Sequence, residues 1–116
     1  MINLSSSSKI LLCIKPLDFR KGIDSICRIV KSDYEKDPKE GTIYVFINKR
    51  ATQIRLINFD GTGFWICTKR LSQGNFWWPK SKDEALLPRE AKSMAMLLRG
   101  QNPTGEDVYS EFRKAV

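Results

Sequence analysis

Between positions 41 and 79 the apolar and β-branched residues gather in three short runs, and turn residues separate them. Residues 42–47 (TIYVFI), 53–59 (QIRLINF) and 64–71 (FWICTKRL) each have the length and composition of a strand. Asp60-Gly61-Thr62-Gly63 gives the tightest break, since glycine accepts the positive φ that a hairpin turn needs. Links this short join only antiparallel neighbours, because a parallel pairing needs a crossover of roughly a dozen residues or more. The pattern therefore predicts a β-meander.

The flanks read differently. Ser5–Ser8 makes the first residues polar, and residues 10–14 form a short apolar run that periodicity leaves open as an edge or a central strand. Lys15-Pro16-Leu17 breaks it, and Asp18 is a candidate N-cap for a helix over about 19–34. Ile23, Ile26, Cys27, Val30 and Tyr34 then fall on one face at helical spacing. After the meander, Phe76-Trp77-Trp78 is a candidate short strand. Pro88 suits the first turn of a second helix, where its missing N–H costs nothing. Ala91, Met94, Ala95, Leu97 and Leu98 supply that helix with an apolar stripe, and Gly100 suits the position just past its end. A short third helix over 106–116 would need to dock to persist. The expected fold is α+β: an antiparallel β-meander of about four to five strands, packed by one long N-terminal helix and one C-terminal helix. Residues 1–100 are expected to make a single domain, with 101–116 as a tail.

Charge sharpens this picture. The chain of 116 residues carries a net +7, and the excess is local. Residues 41–82 hold seven Lys or Arg against one acid, Asp60. Residues 1–40 hold eight against six, and 83–116 five against six. A local excess of this kind points to a polyanionic partner, most simply nucleic acid. With no histidine, no paired cysteines and no convergent acids, the sequence offers neither a metal set nor a general base, and no cofactor is expected. Without a paired acid set to hold metal ions, and without a glycine-rich phosphate loop, the chain reads as non-catalytic. No apolar run is long enough to cross a membrane, and Cys13, Cys27 and Cys67 look like small hydrophobes of a reduced, cytoplasmic protein.

If the second strand folds back on the third, Lys69 and Arg70 lie opposite residues 53–55, and Lys49, Arg50, Arg55, Lys69 and Arg70 gather at one sheet end. These five are the candidate phosphate contacts; the alternative is a solvated basic rim. Arg20 and Lys21, in the expected first turn of a helix, either hold an anion or pair with Asp18 and Asp24. Of the adjoining aromatics, Phe76 and Trp78 are expected inside and Trp77 exposed, where it could stack on a base.

Three groups of residues carry a resemblance. They are Asp18-Phe19-Arg20-Lys21-Gly22-Ile23-Asp24; Val45-Phe46, Asn48-Lys49-Arg50, Asp60-Gly61 and Gly63-Phe64-Trp65; and Lys69-Arg70-Leu71, Gly74, Phe76, Trp78-Pro79 with Ala95-Met96-Leu97-Leu98 and Gly100. Over residues 17–100 the chain resembles the TnpB accessory proteins of the bacterial insertion-sequence family numbered 66, which share only a name with the RNA-guided nucleases. Phe19, Phe59 and Arg55 stand where that pattern usually has Met, Trp and Lys, swaps that keep the character of each site. The resemblance implies a small mobile-element protein encoded beside a separate transposase and assisting transposition. Duplex DNA at transposon ends and the transposase are then the expected partners. The competing expectation is a protein–protein adaptor docking on the transposase through residues 76–78 or the second helix. RNA binding on the sheet aromatics is a third.

Overall fold

The computed structural model describes Leu4 and residues 8–102. The chain runs β1 (Ile10–Cys13), α1 (Ile23–Ser32), β2 (Ile43–Ile47), β3 (Gln53–Phe59), β4 (Phe64–Arg70), β5 (Leu86–Arg89) and α2 (Ala91–Leu98). One five-stranded sheet in the order β4-β3-β2-β1-β5 carries all the strands. The meander is there: β2 pairs antiparallel with β3, and β3 with β4, in the register Gln53↔Arg70 through Phe59↔Phe64.

The sheet as a whole is mixed, which corrects the expectation of a purely antiparallel one. β1 lies parallel to β2, with Ile10↔Ile43 and Leu12↔Val45 as partners. The segment between them contains α1, which supplies the crossover that a parallel pair requires. Central strands covered on both faces read as continuous apolar runs rather than alternating ones. β2 is such a strand: all five residues of IYVFI are buried.

Two cores follow from the pleat, one on each face. Leu11, Cys13, Tyr44, Phe46 and Ile57 point to one side and pack with Leu17, Ile26 and Val30, so α1 covers this face. Ile10, Leu12, Ile43, Val45, Ile47, Ile54 and Leu56 point to the other and pack with Phe76, Met94 and Leu97, so α2 covers that one. Burial holds the Cys13 thiol well above its usual range, and it serves as a small core hydrophobe.

Several boundaries differ from the sequence-based expectation, each for a local reason. α1 is ten residues long and begins at Ile23, with Gly22 as an N-cap that makes no side-chain bond. Asp18 instead closes a turn ahead of the helix: its carboxylate accepts from the Arg20 backbone N–H at 3.0 Å, and its carbonyl from the Lys21 N–H at 3.1 Å. Tyr34 lies beyond the last helical residue yet still packs on the α1-side core. Pro88 sits in β5, antiparallel to β1 and opposite Leu11, not in a helix. An outermost strand tolerates a missing N–H as well as a helix start does. Residues 76–78 form no strand; the Phe76 N–H donates to Ala51 O at 2.6 Å and the ring is buried. Gly100 ends α2 as expected, with φ +79 and its N–H donating to Leu97 O at 3.0 Å. The expected helix over 106–116 lies outside the described residues. Among the described residues no helix is long and apolar enough to cross a membrane.

Candidate nucleic-acid interface

β1 and β2, being parallel, end on the same side of the sheet, at Cys13 and Ile47. In open sheets with crossover helices, ligands bind outside the carboxyl ends of such strands. Two segments build the surface there: the β2–β3 turn and residues 14–22 leading into α1. The Leu17 N–H donates to Ile47 O at 2.8 Å, which straps the second segment across the end of β2.

Asn48 shapes the turn. Its carbonyl accepts from the Ala51 N–H at 3.0 Å, so Lys49 and Arg50 are the two central residues. Its side-chain Oδ1 accepts from the N–H groups of Thr52 and Gln53 at 2.9 and 3.0 Å, and its Nδ2 donates to Thr52 Oγ1 at 3.0 Å. Ala51 takes a left-handed conformation, φ 55, which costs a non-glycine residue energy and persists because the surroundings hold it. The Asn75 Nδ2 donates to Arg50 O, and Leu71 N–H to Thr52 O at 3.0 Å, tying the turn to the chain after β4. A backbone held this firmly presents Lys49 and Arg50 outward. Both are exposed, and neither side chain makes a hydrogen bond or ion pair among the described residues.

Arg55 reaches the same surface from β3. Its Nε donates to Thr68 Oγ1 at 2.9 Å and its Nη1 to Phe19 O at 3.0 Å, and the guanidinium lies 4.5 Å from the Phe19 ring centroid. These partners are all neutral, so they orient the guanidinium and leave its charge uncompensated. Arg20 is different. Its Nε and Nη2 fork onto the Asp18 carboxylate at 3.1, 3.2 and 2.9 Å. The Arg20 hydrogen bonds hold the Asp18 carboxyl down to about 2. Of the two readings of Arg20, the ion pair is therefore the arrangement seen. Lys21 precedes α1, not within its first turn, and borders a neighbouring hollow with Lys15 and Lys49.

Together these residues line a shallow groove of about 700 Å³, from Leu17 to Arg20 on one wall and Asn48, Lys49, Arg50, Gln53 and Arg55 on the other. Arg70 is the register partner of Gln53 and adjoins the groove on the same face. Asp18 is the one acid in the lining.

The expected cluster of five cations splits. Lys69 pairs in register with Ile54, whose side chain belongs to the opposite core, so Lys69 stands on the α2 face. Its Nζ donates to Leu98 O at 2.7 Å, where a cation complements the carboxyl end of a helix. Successive residues of a strand point to opposite faces, so Lys69 and Arg70 cannot share one. Trp77 is also misplaced as a stacking platform: it is half-buried against the α2-side core. Trp78 is half-buried too, and its Nε1 donates to Cys13 O at 3.2 Å. The exposed tryptophan is Trp65, whose Nε1 donates to Asp60 Oδ2 at 2.9 Å. Asp60 also accepts from Thr62 and Gly63 in the turn, and these bonds hold its carboxyl down to about 2. Sequence reasoning missed Phe19 as the shelf under Arg55 and Asn48 as the organiser of the turn. An aromatic beside Asp18 and an asparagine at a strand end were the available signals.

The sequence profile of IS66 Orf2-like proteins matches residues 8–107 of this chain. A protein of Sinorhizobium fredii (strain NBRC 101917 / NGR234), "Uncharacterized protein y4jC", is 40% identical over 86 residues, covering 74% of this chain and 74% of its own length. A second protein of the same strain, "Uncharacterized protein y4hO", is 31% identical over 83 residues, 72% of this chain and 71% of its own. No solved structure matches the chain. The chain belongs to the IS66 Orf2-like family, the accessory proteins of that insertion sequence.

Proposed function

We propose that this accessory protein assists transposition by holding nucleic acid, most simply the duplex ends of the element, through the groove on the α1 face. The observation that carries the reading is the set of cations there. Lys49, Arg50 and Arg55 line one groove without a carboxylate partner, and Arg70 adjoins it. Such groups contact phosphates, positioning a duplex without reading its sequence. In this reading the strand-transfer chemistry belongs to the transposase, and the chain contributes binding alone. Lys69 and Trp77, placed on the other side, take no part, and Arg20 stays paired with Asp18.

A salt titration of binding to random duplex DNA tests it. Four phosphate contacts give log K a slope of about −3.6 against log salt, a loss of roughly 150-fold between about 50 and 200 mM. A slope near zero, or no binding at about 50 mM, would favour the adaptor reading instead.

A further inference from the structure

Among the described residues the large hydrophobic side chains left exposed are Trp65 and Ile66, at 43% and 46%, and they are neighbours on β4. β4 is an outer strand of the sheet. Proteins guard such edges with short strands, proline and charge. The opposite edge has all three: β5 is four residues long, with Pro88 inside and Arg89 at its end. β4 is seven residues long, and from Phe64 to Thr68 it carries neither charge nor proline.

The phase of its free hydrogen-bonding groups is fixed. Asp60 N–H donates to Gly63 O and Leu71 N–H to Thr52 O, both at 3.0 Å, at the two ends of the β3–β4 ladder. With the observed register, Trp65, Cys67 and Lys69 exchange backbone bonds with β3. The N–H and C=O groups of Phe64, Ile66, Thr68 and Arg70 therefore face the open edge.

We propose that β4 pairs antiparallel with β4 of a second copy of this chain, joining two sheets into one. Full overlap of the two strands centres on Cys67. Phe64 then lies opposite Arg70 of the second copy and Ile66 opposite its Thr68, so every outward backbone group meets an outward partner. Trp65 lies across from Lys69 of the second copy, which sets a cation beside an aromatic ring. No like charges face each other in this register, which matters for two chains of +7 each. Sliding toward the carboxyl ends would bring the two Lys69–Arg70 pairs together and is disfavoured. The two-fold axis stands perpendicular to the joined sheet, so both α1 faces, and both basic grooves, open to the same side. The pairing stands on the edge geometry and does not depend on what the grooves bind.

Sedimentation velocity at about 100 µM, combined with mild oxidation, tests the pairing. The expected mass is twice the 13.4 kDa of the chain. Cys67 falls at a non-hydrogen-bonded position of the new pair, where Cα atoms lie about 4.5 Å apart, within disulfide reach. Air oxidation with a copper catalyst should therefore link two chains through Cys67, and Cys67→Ser should remove the link while leaving the dimer. Ile66→Lys puts a charge on the edge, and Ile66→Pro removes an outward N–H; each should weaken dimerisation by at least about tenfold with an unchanged circular dichroism spectrum. A wild-type monomer at that concentration, a dimer indifferent to both substitutions, or a link through Cys27 in place of Cys67 would overturn the proposal.

Discussion

Reversing Lys49 and Arg50 together to Glu is expected to lower affinity for random duplex DNA by about 100-fold or more at low salt, and to reduce the salt slope by about 2. The two side chains are exposed at the tip of a turn whose backbone is fixed by Asn48, Thr52 and Asn75, so the change removes charge without removing a structural bond. Lys69→Glu is the matched control, with the same charge change per residue only a few strand positions away. Lys69 lies on the α2 face and bonds Leu98 O, so DNA affinity should move by no more than about twofold to threefold, the size of a long-range charge effect. Stability should respond instead, because a carboxylate at the carboxyl end of α2 is unfavourable by about 0.3–1 kcal/mol. Electrophoretic or fluorescence binding of the two variants, beside their denaturation midpoints, checks both halves. Equal loss of binding from both variants would mean that the protein attracts DNA through net charge rather than through this groove.

The second large effect concerns the core under the groove. Phe46 is 1% exposed on β2, pairs in register with Arg55 and packs among Leu17, Ile26 and Val30. Phe46→Ala removes a buried ring and leaves a cavity between α1 and the sheet, which costs about 3–5 kcal/mol. Domains of this size have about 5–15 kcal/mol in total, so the urea midpoint should fall by about a fifth or more with little change in slope. Phe46 lies beneath Arg55 and Leu17, so DNA binding should weaken as well, even where the variant remains folded. A loss below about 1 kcal/mol would contradict the packing described for this face.

What could be read from the sequence follows from how local each signal is. The meander was legible almost to the residue: 53–59 is β3 as expected, and 42–47 and 64–71 lose one residue each. Asp60-Gly61-Thr62-Gly63 and Asn48 set those turns within a few residues of chain. The place of β1 was not legible, since four buried apolar residues say nothing about which neighbour they pair with. Pro88 was ambiguous because an edge strand and a helix start both spare its missing N–H. Asp18 has the residue type of a helix cap, yet the chain needs four more residues to reach Gly22, and the Asp18 carboxylate is taken up by Arg20. Within the site, the strand register was right and the grouping of cations was not. Lys69 opposite Ile54 and Arg70 opposite Gln53 falls within the expected pairing with residues 53–55, but a period of two sends one to each face. Trp77 failed for a different reason. Residues 76–78 are not a strand, so alternation could not place them, and both tryptophans lean on the α2-side core.

The most direct measurement is an amide chemical-shift titration of the protein with a short random duplex. The expected result is a contiguous footprint on the α1 face: Phe19 to Lys21, the Lys49–Gln53 turn, Arg55 and Arg70, with α2 and Trp77 unmoved. Shifts confined to α2, Lys69 and residues 76–78, or no shifts at about 50 mM salt, would contradict binding through the α1-face groove.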